Sequence, residues 1–302
     1  MNNIKKYFLF SLILVCIIYA LQYGFGILYK KRAIDKLSLL EKHQIDNNVI
    51  VFGSSVAFHH FSPAIINTQT GLDAYNMGLD ALFFGQYNAM IQEYLTYEKK
   101  SKYIVLACDF DNLSLKTLIR KPEMYYAYIH NKFIYNCLSK IEPVEMMKAK
   151  YIPGYLLALY NKNFYNSILF KDNNTISTKG FYPLDQPFVV NEKKPFNAAY
   201  DSSVYYDLKA TVNEICQKGI KVIIVMTPMY KEGYKLIMNA EDIKDKYRAL
   251  TNQNVFFLDY TQDSLSTQKQ LFYNYSHLNT IGANLFSNEF ARDLKAIIAA
   301  NK

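Results

Sequence analysis

VIVFGSS, residues 49–55, joins four apolar residues to a turn of small ones. An apolar, largely β-branched run that ends in such a turn is typical of a buried parallel strand. Residues 56–70 can form the helix that follows it. Ligands bind at the carboxyl edge of parallel sheets, so the hydroxyls of Ser54 and Ser55 fall where chemistry is expected. Taken alone, serines in a turn more often shape the turn or cap a helix.

The alternation of strand and helix continues along the chain. Further strands are predicted at residues 74–77, 103–108, 219–226 and 254–258. Helices are predicted at residues 82–97, 241–250 and 281–299. This alternation predicts an α/β fold of three layers, α/β/α, in which a parallel five-stranded sheet carries helices on both faces.

A long insertion, residues 113–203, separates the third and fourth strands and is rich in Tyr, Asn and Lys. A structureless loop of this length is uncommon in a compact domain, so we expect helices that form a wall or lid over the sheet edge. Its tyrosines are expected mainly to pack the insertion onto the core, with stacking on sugar rings as the alternative.

Residues 7–29 carry no charge and follow Lys5 and Lys6. At about 1.5 Å per residue, this run can cross a bilayer core of roughly 30 Å as a transmembrane helix. A cleaved signal peptide is the alternative, but the apolar run lacks a convincing small-residue cleavage site. We therefore expect a membrane anchor over residues 1–32 and a domain over residues 33–302.

Composition and charge limit the classes of molecule that this chain is expected to bind. With 302 residues and 51% hydrophobic content, the chain can bury one substantial core. The net charge of +8 is spread along the sequence, which argues against nucleic acid and suggests attraction to an anionic envelope. The chain has no glycine-rich phosphate-binding motif, and the adjacent His59 and His60 make a poor metal pair. No cofactor and no metal are predicted.

A serine nucleophile needs a base, and His277 is the candidate. It lies in YNYSHLNT, residues 273–280, just before the last predicted helix. A cap at Asn279 or Thr280 would fix the backbone and let the imidazole face Ser55. A histidine in such a loop is otherwise more often a surface or capping residue.

Three short motifs together resemble those of the SGNH/GDSL hydrolase superfamily. They are GSS at 53–55, NMG at 76–78 and SHLN at 276–279. The resemblance extends over residues 48–300, apart from much of the insertion, and implies a flavodoxin-like SGNH fold.

The resemblance also implies roles for individual residues. Ser55 takes the position of the nucleophile and His277 that of the general base. The backbone N–H groups of Ser55 and Gly78 take the positions of oxyanion donors. The family's Gly-x-Asn-Asp block is absent, and DFDN at 109–112 stands in its place. In that segment Asn112 is a candidate oxyanion donor, while its two aspartates are interpreted as shaping the turn.

The residue that orients the histidine also departs from the family pattern. An aspartate usually lies three residues before the histidine, and here that position is Asn274. An amide can orient an imidazole but cannot stabilise its cation by charge. A Ser-His dyad, or a carboxylate supplied by Asp259 or Asp263, remains open.

The membrane-anchored branch of the family, which includes polysaccharide O-acetylation and D-alanine transfer proteins, is similar in architecture. That similarity implies a single-pass cell-membrane protein whose extracytoplasmic domain transfers acyl groups. Expected partners are an acyl donor, an envelope or exported glycan and a membrane-bound O-acyltransferase. Water as acceptor would make an esterase, and a sugar hydroxyl an O-acyltransferase. Because Asn274 replaces the usual aspartate, the alternative is that this chain is a non-catalytic relative that binds glycan or scaffolds the acyltransferase.

Overall fold

The computed structural model describes residues 3–32, 35–97, 100–160, 162, 165–166, 178–190 and 194–300. Within these residues, five parallel strands form one sheet in the order β2-β1-β3-β4-β5. The strands are β1 Val49–Gly53, β2 Ala74–Asn76, β3 Tyr103–Cys108, β4 Lys221–Met226 and β5 Val255–Asp259. The predicted parallel sheet is therefore confirmed, with strand boundaries close to those expected.

Helices cover both faces of the sheet. They are α1 Asn3–Arg32, α2 Lys36–Glu41, α3 Ser55–His60, α4 Pro63–Thr70, α5 Phe84–Tyr94, α6 Lys132–Ser139, α7 Pro143–Tyr151, α8 Tyr155–Leu159, α9 Ser202–Gln217, α10 Lys231–Tyr234, α11 Ala240–Arg248 and α12 Thr280–Ala300. The prediction of one helix over residues 56–70 was wrong. The chain is extended at Phe61 and Ser62, because a residue before proline avoids the helical region, and α4 restarts at Pro63.

Side chains alternate between the two faces of the sheet and build two cores. Ile50 and Phe52 belong to the core that contains α5, α9 and α11 side chains. Val49 and Val51 belong to the core built with α3, α4 and α12. β1 and β3 are thus buried on both faces, which explains why each is a continuous apolar run, while the edge strand β5 is only partly buried.

The strand order places a crevice at a defined point. β1 pairs with β2 on one side and with β3 on the other, so the order of the chain reverses between β1 and β3. This is the topological switch point, where open α/β sheets bind their ligands. The residues after β1 and β3 are therefore the ones positioned for function.

The insertion supplies α6, α7 and α8, while part of it lies outside the described residues. Several of its tyrosines are buried in the first core, which is the packing role expected for them: Tyr125, Tyr126, Tyr128 and Tyr160. Its later part crosses the sheet edge, where Tyr182 donates a backbone hydrogen bond to Phe58 and Val189 donates one to Tyr273.

The apolar N-terminal run forms α1, a helix long and apolar enough to cross a membrane. Its C-terminal half packs against the domain. The Tyr19 hydroxyl donates to the Tyr151 carbonyl at 2.5 Å, and Lys30 pairs with Glu41 at 2.5 Å. The C-terminal half of α1 is therefore in contact with the rest of the chain.

Phe286 provides a test of the second core. Its ring is fully buried, with ring centroids 5.1 Å from Phe61 and 5.2 Å from Tyr260. Phe286→Ala should lower the free energy of unfolding of the full chain by about 3–5 kcal/mol, because it removes the ring and leaves a cavity. The neighbouring exposed Leu285 gives the control, since Leu285→Ala should cost no more than about 0.5 kcal/mol. Equal losses in chemical denaturation would contradict this packing.

Candidate active site

Ser55 owes its position to the way β1 ends. Gly53 has φ 151°, and a Cβ there would lie 2.5 Å from the carbonyl oxygen of Ala107 on β3. Only glycine lets β1 end this close to β3. The chain then turns at Ser54, and Ser55 becomes the first residue of α3. The nucleophile candidate therefore lies at the switch point, at the carboxyl edge of the sheet.

His277 lies in a closed loop before α12. Tyr273 donates a backbone hydrogen bond to the His277 carbonyl at 2.8 Å, and Asn279 donates one to Leu271 at 2.9 Å. This loop brings His277 Nε2 to 2.7 Å from Ser55 Oγ, although the two residues are 222 positions apart. The structure thus joins the predicted nucleophile to the predicted base by a hydrogen bond.

Asn274 Oδ1 orients His277. It accepts the backbone N–H groups of Ser276 and His277, each at 2.9 Å, and lies 3.1 Å from His277 Nδ1. Because Oδ1 can only accept, this contact assigns the proton to Nδ1 and leaves the Nε2 lone pair facing Ser55. That is the tautomer a general base requires. The group that orients the imidazole is therefore a neutral amide and not a carboxylate.

The two alternative carboxylates have other partners. Asp259 pairs with Lys244 at 3.0 Å and accepts from the Thr261 hydroxyl at 2.7 Å. Asp263 accepts the backbone N–H of Ser266 at 3.1 Å, and burial together with the nearby Glu289 raises the pKa of Asp263 to about 6. The structure therefore places Asn274, rather than either carboxylate, on His277 Nδ1.

Gly78 has a packing role in this structure. A Cβ at Gly78 would lie 2.5 Å from Ala57 Cβ and from the backbone nitrogen of Phe58, so glycine allows this segment to contact α3. Its N–H donates to Asn76 Oδ1 at 2.8 Å. To act as an oxyanion donor, the Gly78 N–H would have to leave Asn76, and that role stays a prediction.

Asn112 is closer to the position expected of an oxyanion donor. It lines a cavity of about 180 Å³ together with Ser54 and Ser55. Its Nδ2 donates to the Tyr87 hydroxyl at 2.7 Å, and an amide nitrogen carries a second N–H. The N–H of Ser55 lies in the first turn of α3, where the helix itself offers no acceptor. The oxyanion roles of Ser55 and Asn112 remain predictions.

Asp109 accepts a hydrogen bond from Ser54, the first of the two adjacent serines. Its Oδ2 accepts the Ser54 hydroxyl at 3.0 Å, and its Oδ1 accepts the Asp111 backbone N–H at 2.8 Å. Burial raises the pKa of Asp109, against the opposing effect of the hydrogen bond from the Asp111 backbone N–H. The Ser54 hydroxyl is thus bonded to the turn after β3, and Ser55 is the serine bonded to His277.

His60 is a functional residue that sequence reasoning missed. It is fully buried in α3, where its Nε2 accepts the backbone N–H of Leu278 at 3.0 Å and its Nδ1 lies 2.9 Å from the Thr227 hydroxyl. Burial, together with the nearby His277 and His59, lowers the pKa of His60. A neutral His60 therefore positions the loop that carries His277.

Lys36 on α2 and His59 on α3 each bond a backbone carbonyl of the insertion. Lys36 is buried, and its ammonium donates to the carbonyls of Gly78 and, at 2.7 Å, Gly180. Burial lowers the pKa of Lys36. His59 Nδ1 lies 2.7 Å from the Tyr182 carbonyl. A lysine in a predicted connector is normally solvated, so nothing in the sequence indicated that Lys36 is buried and bonded to these carbonyls.

A cavity of about 490 Å³ opens beside Ser55 and His277. This volume is within the range of small-molecule sites. Its walls are mostly apolar and include Phe196, Ala198, Met229 and Ile237, while Thr227, Thr261, Asp109 and Asp111 are among the polar residues that line it. Residues 196–199 come from the insertion, which therefore forms one wall of the cavity. Among the described residues, no group of three or more His, Cys, Asp or Glu side chains is placed to hold a metal ion.

Comparisons with known proteins add little to this geometry. No protein-family model matches the chain, and no curated protein matches it. Among solved structures, it is similar to one from Streptococcus pneumonia described as "a putative platelet activating factor", with 12% sequence identity and a TM-score of 0.44. The match covers 98% of this chain and 100% of that one. So distant a likeness assigns no family and no activity.

His60 yields a prediction with a pH signature. His60→Ala leaves the buried Leu278 N–H without its acceptor, which should lower the free energy of unfolding by about 1–3 kcal/mol. The folded state lowers the pKa of His60, so the unfolded chain binds a proton first as the pH falls below about 6.5. The stabilisation that His60 provides is therefore present above that pH and is lost in more acidic solution.

The difference in unfolding free energy between the native chain and His60→Ala should thus shrink on going from neutral to mildly acidic pH. His60→Gln is the matched control, because its amide oxygen can accept the Leu278 N–H without titrating. It should recover part of the stability lost in His60→Ala. It should also preserve more of the reactivity of Ser55. A difference that does not change with pH would contradict the positioning role of a neutral His60.

Proposed function

We propose that this chain is a membrane-anchored serine acyl-transfer enzyme. The observation that carries the proposal is the 2.7 Å contact between Ser55 Oγ and His277 Nε2, with Nδ1 of the same ring held by Asn274. A hydroxyl, a correctly oriented imidazole and an adjacent cavity are the parts that nucleophilic acyl transfer requires.

The first half of the reaction forms an acyl-serine. As Ser55 Oγ attacks the carbonyl carbon of the acyl donor, His277 Nε2 takes the hydroxyl proton and then delivers it to the leaving group. The negative charge that develops on the carbonyl oxygen would be stabilised by the Ser55 N–H and the Asn112 amide. One such donor is typically worth about 3–4 kcal/mol.

The second half transfers the acyl group. His277 removes a proton from the acceptor hydroxyl, whose oxygen attacks the acyl carbon, and Ser55 recovers its proton as the ester bond breaks. Water as acceptor gives an esterase, and a sugar hydroxyl gives an O-acyltransferase. We favour an acceptor on an envelope or exported polysaccharide, because the cavity is open beside Ser55 and the chain carries a net charge of +8.

Asn274 sets the expected rate. Its oxygen fixes the ring and the tautomer of His277, but a neutral amide offers the imidazolium no compensating charge. The site should therefore work more slowly than one with a carboxylate at this position. The same residue favours a second candidate function, a non-catalytic relative that binds glycan or scaffolds a membrane-bound O-acyltransferase.

The packing of α1 supports a retained anchor over a cleaved signal peptide. Gln22 is 5% exposed, while Phe25 and Tyr29 pack against the main core. Cleavage would remove these side chains and expose the apolar surface they cover. We therefore propose a single-pass membrane protein, and we place its domain on the extracytoplasmic side because of the resemblance to membrane-anchored acyl-transfer proteins.

The test is labelling of the full chain by a fluorophosphonate, followed by intact mass and peptide mapping. We expect one adduct on Ser55 that is lost in Ser55→Ala and falls at least tenfold in rate in His277→Ala, because an unassisted serine hydroxyl is a poor nucleophile. Ser54→Ala is the matched control. Its hydroxyl is bonded to Asp109, so labelling should persist.

The alternatives give different results in this experiment. An adduct on Ser54, or labelling that is indifferent to His277, would contradict the assignment of nucleophile and base. No adduct in a chain that remains folded would favour the non-catalytic, glycan-binding function.

A further inference from the structure

α7 carries an apolar stripe that the domain does not cover. Val144, Met147 and Tyr151 are 58%, 49% and 57% exposed, and their spacing of three and four residues places them on one side of the helix. Ile152, directly after α7, is 44% exposed and extends the stripe. Several large apolar side chains together on a surface usually mark a site of interaction.

This stripe lies beside α1. The Tyr19 hydroxyl donates to the carbonyl of Tyr151 at the end of α7, and the position of a Cβ on Gly154 is 3.0 Å from Ile18. The turn between α7 and α8 therefore contacts α1 near its middle, well before the helix reaches Lys30.

The length of α1 then sets the depth of this contact. A bilayer core of roughly 30 Å takes about 20 residues, and counted from Tyr7 this span ends at Gly26. Ile18 lies eight residues before Gly26, which corresponds to about 12 Å below that end of the span. A shift of the span towards the C-terminus puts the contact deeper, and a shift the other way draws Lys5 and Lys6 into hydrocarbon.

We propose that α7 and the α7–α8 turn enter the lipid bilayer beside α1, with the stripe of Val144, Met147, Tyr151 and Ile152 in contact with acyl chains. This inference rests on the membrane anchor of the proposed function. It goes beyond that function, because it assigns the domain a second attachment to the membrane and therefore a fixed orientation on it.

The lysines of α7 suit this environment. Lys150 Nζ lies 3.7 Å from the ring centroid of Tyr135, and Lys148 Nζ lies 5.9 Å from that of Tyr155. Aromatic rings paired with lysines are typical of the boundary between acyl chains and headgroups, where long side chains extend their charge to the lipid phosphates. Gln22 is buried instead of facing lipid, as expected for a polar residue within a membrane span.

The absence of tryptophan from this chain makes a direct test available. Met147→Trp in the full chain, reconstituted in vesicles of phosphatidylcholine and phosphatidylglycerol, places one tryptophan on the stripe. Val144→Trp is a second probe should Met147→Trp fold poorly. A matched control is Met238→Trp, at a position 70% exposed. Ile13→Trp, in the part of α1 before the contact, reports on the span itself.

Doxyl-labelled lipid in the vesicles quenches only tryptophans that reach the acyl chains. We expect strong quenching and a blue-shifted emission for Met147→Trp and Ile13→Trp, and neither for Met238→Trp. Quenching of Ile13→Trp without quenching of Met147→Trp or Val144→Trp would overturn the second attachment and leave the anchor intact. An unquenched Ile13→Trp would overturn the anchor and this inference with it.

Discussion

The ends of β1 and β3 lie so close together that only glycine fits between them. A side-chain carbon at Gly53 would lie 2.5 Å from the Ala107 carbonyl, in a backbone conformation with φ 151° that other residues rarely adopt. This close approach fixes where the chain leaves the sheet. As a result, the Ser54 hydroxyl is bonded to Asp109 and α3 begins at Ser55. The different roles of two chemically identical serines therefore follow from a backbone constraint.

The short helix α3 is held from several sides, which makes the site rigid. Asn76 Nδ2 donates to the carbonyls of Ala57 and Phe61 at 2.6 and 2.9 Å. His60, on the same helix as Ser55, holds the loop of His277 through Leu278. The helix α3 therefore carries the nucleophile and also bonds the loop that carries the base. Such preorganisation keeps the reacting groups aligned without further loss of entropy when substrate binds.

The parts of this structure that could be predicted are those encoded locally. Buried parallel strands are continuous apolar runs, so the sheet could be predicted from the sequence. The break between α3 and α4 is marked by Pro63, although hydrophobic periodicity alone predicted one helix. Ser55 and His277 were found because short motifs resembled a known family. The role of His60 could not be predicted from the sequence, because its hydrogen-bond partner Leu278 is 218 positions away and becomes a neighbour only in the folded chain. Burial of Lys36, bonded 144 positions away, was hidden for the same reason.

A neutral amide at position 274 orients His277, and we propose that this orientation is sufficient to activate Ser55. The most direct measurement is acetylation by p-nitrophenyl acetate, with acid quenching and mass mapping of the full chain, Asn274→Asp and Asn274→Leu. We expect acetyl on Ser55 in the native chain, formed severalfold faster with Asp, which adds charge, and more slowly with Leu, which cannot accept the Nδ1–H. Absence of acetyl-Ser55 from all three proteins, or a rate of acetylation that does not depend on residue 274, would contradict this role of Asn274.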